Sequence, residues 1–479
     1  MANVFHFGAR GDGVTDDTDA LQHALEAGDG VLRFAKGTYR ITRPLVLDLA
    51  RQGYGGARGE TGASRIVMAG PGPALRIIGD HRGSALPRSV QPHTWDRERF
   101  PLVTGLEIVG EHPEAVGIEL CRTMKCTITE VLVRRCRVGI HLIERNRDFI
   151  LANSHLYDNR EIGLFFDHCN LHQIIVQGNH ISWNRVAGIK SLNGDVHNLQ
   201  IVGNDIEYNN LTAALGANLP ADDPALADHA GGAEIWFAAL AGVISEVTIA
   251  GNTIQATVQR GGANIRITGA PVARSSSAAD DGPPDTAHLI AITGNVLGSQ
   301  WRGVDLRYVS RVTITGNTLY DAADLSVYAA HVSGLTLGPN TIGWRCSDSE
   351  PPKEGLYFED CENVVVSQLA TQRMSAGAPA SGAAVTLVRC RDSSVCDCQL
   401  LDPVHCGIEL QDCERCRVVN NTVVDRRATP TFRAAIRLRG RCRNNLVAGN
   451  LVGGGSGPWI TVEGDGPPTQ VRDNLTVPG

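Results

Sequence analysis

A short repeat runs through most of this sequence and limits what the chain can become. An asparagine followed two places on by an apolar residue recurs at Asn179, Asn204, Asn252, Asn295, Asn317, Asn340, Asn421 and Asn450. The gaps are 25, 48, 43, 22, 23, 81 and 29 residues. Steps of 22 to 29 fit one repeat, and the longer gaps fit two or three with insertions. Between them lies a second repeat, Gly-apolar-x-apolar, as in Gly117-Ile-Glu-Leu, Gly139-Ile-His-Leu, Gly163-Leu-Phe-Phe, Gly303-Val-Asp-Leu, Gly355-Leu-Tyr-Phe and Gly407-Ile-Glu-Leu. Both alternate with period two, the pattern of a strand buried on one face. One repeat cannot bury that face alone, so the repeats must stack.

One unit therefore reads strand, turn, strand, asparagine turn, strand, loop. The expected fold is all-β: a right-handed parallel β-helix with a short N-terminal capping helix. Residues 1–100 are expected to form the cap and first irregular coils, and 101–479 the β-helix, as one continuous domain. The leucine-rich repeat is the nearest rival, but its consensus is absent. Asparagine suits the turn because it tolerates left-handed backbone and can bond to asparagines on neighbouring coils. Thr15, Asp16 or Asp17 is expected to cap a helix starting near Asp19. A calcium loop on Asp12, Asp16 and Asp17 lacks its closing glutamate.

Thirteen cysteines invite a disulfide reading, but the odd count and absence of a visible signal peptide argue against it. Cys169, Cys361, Cys390 and Cys413 each lie six residues after a strand start, and Cys442 is one residue out of phase. They are expected to stack as buried thiols. Cys396, Cys398, Cys413 and Cys416 have zinc-like spacing, yet the repeat already explains Cys413. The histidines His141, His168, His172 and His180 are spread over repeat phases, so no metal and no cofactor is expected. A net charge of −7 argues against binding nucleic acid through bulk positive charge. The apolar stretch Ile235–Ile244 is too short to span a bilayer, so no membrane partner is expected. Localisation is open between a cytoplasmic protein and a secreted one with its signal removed.

The segment Phe7-Gly-Ala-Arg-Gly-Asp-Gly-Val-Thr-Asp-Asp-Thr, with Lys36-Gly-Thr-Tyr after it, resembles the start of the pectate-lyase-like superfamily of β-helix proteins. That resemblance implies the fold, and a role among lyases, glycoside hydrolases, epimerases, transferases or phage tailspikes. The signature motifs of pectate lyases and polygalacturonases are absent, so neither chemistry transfers. Long β-helices of this superfamily are often trimers, which makes a homotrimer an expectation.

The outward residue of each front strand runs Glu119, His141, Phe165, Lys190, Trp236, Arg266, Asp305, Tyr328, Tyr357, Thr386, Glu409 and Arg437. Coils stack about 4.8 Å apart. Lys190, Trp236, Arg266, Asp305, Tyr328 and Tyr357 then form a polar and aromatic stripe suited to a sugar chain. Glu234 is read as a further outward residue, with Asn264 equivalent to it on the next coil. Glu234 and Asp305 are the expected acid–base pair, with Arg266 between them. Lys190, Trp236, Asn264, Arg307, Tyr328 and Tyr357 are expected to bind substrate, and Asp205 and Glu207 form a secondary candidate site. Loops at 211–232, 269–286, 343–354 and 371–382 are expected to wall the cleft. The expected function is cleavage or transfer of glycosidic bonds in a poly- or oligosaccharide. The alternatives are a lyase or uronan epimerase, with Lys190 or Arg266 as base and Tyr328 as acid, and a non-catalytic sugar-binding spike.

Overall fold

The computed structural model describes residues 3–83, 86–210, 232–255, 260–271, 286–343, 353, 355–374, 382–429, 432–454, 458–464 and 469–477. Most of each expected cleft-wall loop, and Cys346, lie outside the described residues. The fold is an all-β parallel solenoid of about 16 turns, 7% helical. The chain divides into two compact units, Met1–Thr248 and Ile249–Gly479.

In the first unit the front strands pair in parallel from Gly72–Ile78 to Ala115–Cys121 and on through the starts of Val138–Ala152 and Ile162–Gln177 to Ala187–Leu192 and Ala233–Ala239. The register stacks Ile118, Ile140, Leu164, Ile189 and Ile235, all fully buried. Each such side chain contributes about 1.5–3 kcal/mol through burial. The repeat's glycine has a steric cause. A Cβ on Gly117 would lie 2.4 Å from the Gly139 carbonyl oxygen, and one on Gly139 would lie 2.6 Å from that of Gly163. Coil-type pairing already begins with Val31–Arg33 on Gly56–Arg58 and Gly37–Ile41 on Ser64–Met68. The helix Thr18–Ala27 buries Leu21, Ala24 and Leu25. Asp17 stands at its N-cap, but its carboxylate accepts from the Arg10 and Gly11 amides instead, at 2.7 and 3.0 Å. The Thr18 amide goes to Asp16.

The second unit repeats the plan. Ile265, Val304, Val327, Leu356, Val385, Ile408 and Ile436 form the matching inward row. Cys361, Cys390, Cys413 and Cys442 are buried free thiols. Each donates to a carbonyl of the preceding coil: Ala329, Phe358, Leu387 and Leu410. The expected thiol column is present for these four; Cys169, also expected in it, is a buried free thiol of the first unit that donates to the Asn170 carbonyl instead, and Cys398 and Cys416 also donate to backbone oxygens.

The turn asparagines form the expected ladders. Asn252 donates to Asn295, Asn295 to Asn317 and Asn317 to Asn340, each at 2.9–3.0 Å. The left-handed residue is not the asparagine, however. It is the residue before it, as at Gly178, Gly294 and Gly316. Asparagine is required for its side chain, which pairs with the next coil, rather than for its backbone.

Candidate functional site

In the first unit the outward column runs in register Arg76, Glu119, His141, Phe165, Lys190, Trp236. The Lys190 ammonium sits 4.1 Å from the Trp236 ring centre and 5.9 Å from that of Phe165. Burial lowers its pKa. His141 stacks on Phe165 and sits between two acids, with Nε2 3.1 Å from Asp167 and Nδ1 3.3 Å from Glu119, the latter without hydrogen-bond alignment. Burial disfavours the imidazolium, but the two carboxylates outweigh it and raise the His141 pKa. Asp167 and His168 are neighbours on one strand, where side chains normally alternate between faces. The left-handed backbone at His168 instead brings its Nδ1 to 2.7 Å from Asp167.

Glu234 does not face outward. It is fully buried at the end of a second asparagine ladder. Asn159 donates to Asn184, Asn184 to Asn209, and Asn209 to Glu234 Oε2 at 2.7 Å. Burial raises its pKa well above the usual carboxylate range, the Asn209 bonds only partly opposing it. Its other oxygen, Oε1, is buried without a partner. The spacing of 25 residues from Asn159 through Asn184 and Asn209 to Glu234 carried this signal in the sequence. Asn264 is also inward, its amide donating to the Ile254 and Gly298 carbonyls at 3.1 Å. Neither side chain is presented to a substrate.

The second unit holds Arg266, Asp305, Tyr328, Tyr357, Thr386, Glu409 and Arg437 in one outward column, as the repeat predicts. Asp305 points outward yet is nearly fully covered, because three arginines close over it. Arg307 Nε lies at 3.0 Å, Arg302 Nη1 at 3.2 Å and Arg266 Nε at 3.5 Å. Burial opposes ionisation, but the guanidiniums outweigh it and hold the Asp305 pKa low. Asp305 and Glu234, expected to act as a pair, belong to different units.

A cavity of about 370 Å³ opens on this column. Tyr328 and Tyr357 line it, their rings stacked 6.0 Å apart. Arg302 lies over Tyr328 at 4.0 Å and also binds Asp324 at 3.0 Å. Burial and the nearby Glu359 raise the Tyr328 pKa, so its hydroxyl stays protonated. Glu409 also lines the cavity, fully buried between Arg437 and Arg439. Arg302, Asp324 and Arg439 were not singled out from sequence. Arg439 shows the signal that was there, since it is the second outward residue of the Ala434–Arg439 strand, two places beyond Arg437.

The secondary residues Asp205 and Glu207 lie on Asp205–Glu207 in the first unit, half-buried and joined by His180. Burial and Glu207 raise the Asp205 pKa. The expectation that the histidines pair with nothing at metal-like spacing fails here: ligand atoms of His180, Asp205 and Glu207 all fall within 4.8 Å of one another. Among the described residues no helix is long and apolar enough to cross a membrane.

Three family models match the sequence. They are a right-handed beta helix region over residues 235–475, rhamnogalacturonase A/epimerase, pectate lyase-like, over 1–62, and periplasmic copper-binding protein (NosD) over 102–221. A search of curated proteins gives no match. Among solved structures, the Azotobacter vinelandii mannuronan C-5 epimerase AlgE4 A-module is 14% identical with a TM-score of 0.39, over 98% of this chain and 99% of that one. The catalytic unit of a GH87 alpha-1,3-glucanase from Streptomyces thermodiastaticus is 14% identical with a TM-score of 0.37, over 100% and 68%. The Dettilon tailspike protein is 14% identical with a TM-score of 0.49, over 95% and 67%. With the β-helix model matching just over half its length and a pectate-lyase-like start, the chain belongs to the right-handed β-helix family.

Proposed function

We propose that the protein is a carbohydrate-active enzyme acting on an acidic poly- or oligosaccharide in the cavity of the second unit. The observation that carries this reading is the environment of Tyr328. Its ring stacks on Tyr357 and lies under Arg302, and its hydroxyl is kept protonated at the cavity wall. Stacked aromatic rings and guanidiniums suit a sugar ring bearing a carboxylate. The carboxylates here are tied to arginines, so none of them is set up as a proton-donating acid. Tyrosine is the donor that remains.

The chemistry this favours is proton abstraction beside the sugar carboxylate. Arg302 and Arg439 neutralise that carboxylate, and Asp324 accepts the proton from the carbon next to it. In elimination the electron pair forms a ring double bond, the glycosidic C–O bond breaks, and Tyr328 protonates the leaving oxygen. In epimerisation Asp324 keeps the abstracted proton and Tyr328 delivers a different, solvent-exchangeable proton to the opposite face of the same carbon. Hydrolysis by a carboxylate pair, the expectation from sequence, is disfavoured in this cavity because Asp324 is held by Arg302 and Glu409 by Arg437 and Arg439.

A panel of uronate-containing polysaccharides separates the cases. Elimination gives ultraviolet-absorbing unsaturated ends. Epimerisation takes up solvent deuterium without shortening the chain. Hydrolysis gives reducing ends with neither signal. Tyr328→Phe should lower turnover by about 10²–10⁴ with binding retained. Binding without turnover on every polymer would leave a sugar-binding spike instead.

A further inference from the structure

We propose that His180, Asp205 and Glu207, on the outward face of the first unit, form a binding site for a divalent transition-metal ion such as Zn²⁺. The strand register sets this up. His180 pairs with Asp205 on the next coil, and Ser182 pairs with Glu207. Ile181 and Ile206 between them point into the core and are fully buried. Period two therefore turns all three ligand-type side chains to one face.

The His180 nitrogen stands from each carboxylate at a ligand-to-ligand distance rather than a hydrogen-bond length, and all three ligand atoms lie within 4.8 Å of one another. His180 Nε2 lies 3.4 Å from Asp205 Oδ2 and 3.5 Å from Glu207 Oε1. A hydrogen bond would draw each pair to about 2.7–3.2 Å. Three ligands each about 2.1 Å from a tetrahedral ion stand roughly 3.4 Å apart. His180 Nε2 is shielded from solvent and makes no hydrogen bond. It points between two carboxylates whose like charges a dication would offset. One imidazole nitrogen with two carboxylate oxygens suits Zn²⁺ or a neighbouring transition metal, whereas Ca²⁺ takes six to eight oxygens. The His155 ring packs edge-on to His180, 5.8 Å between centres, and fixes its plane. Asp205 remains accessible enough to leave the outer coordination positions to water.

Among the described residues, two other groupings of this kind hold their histidines in hydrogen bonds. His197 spends both ring nitrogens, on Asp195 at 2.8 Å and on Ser245 at 2.6 Å, and stacks flat on His172. In the group of Asp80, His93 and Glu98, Asp80 is held by His93 and Thr94, and Glu98 accepts from the Asp80 amide.

The test uses the full chain, stripped with a chelator and titrated with Zn²⁺ by calorimetry. One Zn²⁺ per chain is expected, with a raised melting temperature. His180→Ala and Glu207→Gln should each weaken binding at least tenfold while the metal-free melting temperature stays near that of the parent. His172→Ala should bind as the parent does. If His180→Ala proves unstable, Glu207→Gln decides. No stoichiometric uptake, uptake unchanged in Glu207→Gln, or uptake lost in His172→Ala would each overturn the proposal.

Discussion

Glu234 in the first unit and Asp305 in the second are both buried carboxylates, and they meet opposite surroundings. Glu234 ends a row of amides, with one oxygen bonded to Asn209 and, among the described residues, no cation among its hydrogen-bond partners. Its cheapest state is neutral, since burial penalises an unpaired charge. Asp305 lies under three arginines, and its cheapest state is ionised. The same residue class at strand positions two apart thus serves two purposes. One closes an internal ladder, and the other anchors the guanidiniums that shape a cavity. A carboxylate read from sequence as catalytic must first be assigned a face and a partner.

The comparison breaks first at Asp305. Asp305→Asn leaves three guanidiniums without their shared anion, and breaking such a buried arrangement costs about 3–5 kcal/mol. Urea unfolding measures it, and a loss near zero would mean the arginines are held by something else. The pH dependence has a definite sign. Asp305 titrates lower folded than unfolded, so its stabilisation is full above the ordinary carboxylate range and is lost as pH falls from that range toward and through its lowered folded value.

Glu234→Gln should act in the other direction. The raised pKa means the folded chain keeps this proton at pH values where the unfolded chain releases it. Stability therefore declines as pH rises from the ordinary glutamate value, about 4.3, toward the raised one. The amide keeps the acceptor oxygen for Asn209 and removes the decline. A gain on the order of 1 kcal/mol is expected at mildly alkaline pH, with none at acid pH. Unfolding curves at the two pH values check it, and equal destabilisation at both would contradict a neutral Glu234.

The smallest effect concerns the cations over aromatic rings. Lys190→Met removes a contact with Trp236 worth about 0.5–2 kcal/mol. Arg302→Met should cost more, because Arg302 also holds Asp305 and Asp324. Thermal melts of the two variants sharpen the contrast, and a reversed order would mean that the second unit's arginines do not support its fold.

The column of front-strand residues was legible because strand alternation and a fixed repeat assign a face to each residue. Lys190 on Trp236 and Asp305 beside Arg266 follow from it directly. Glu234 was misread because it lies within its strand two places before the outward Trp236, where alternation alone would turn it outward. There the 25-residue asparagine spacing, not alternation, decides direction. Asn264 was carried along by analogy with it. The covering of Asp305 was not legible, since Arg302 reaches it from three residues back along a strand whose register with its neighbour shifts between Gln300 and Arg302. His180, Asp205 and Glu207 were each visible, but only coil register puts a histidine beside two acids 25 and 27 residues later.

The most direct test of the whole account is turnover of Tyr328→Phe and Glu234→Gln, side by side, on whichever acidic polysaccharide the parent converts. The account predicts that Tyr328→Phe falls by about 10²–10⁴ while Glu234→Gln keeps the parental rate. A Glu234→Gln variant that folds but does not turn over, beside a fully active Tyr328→Phe, would contradict it.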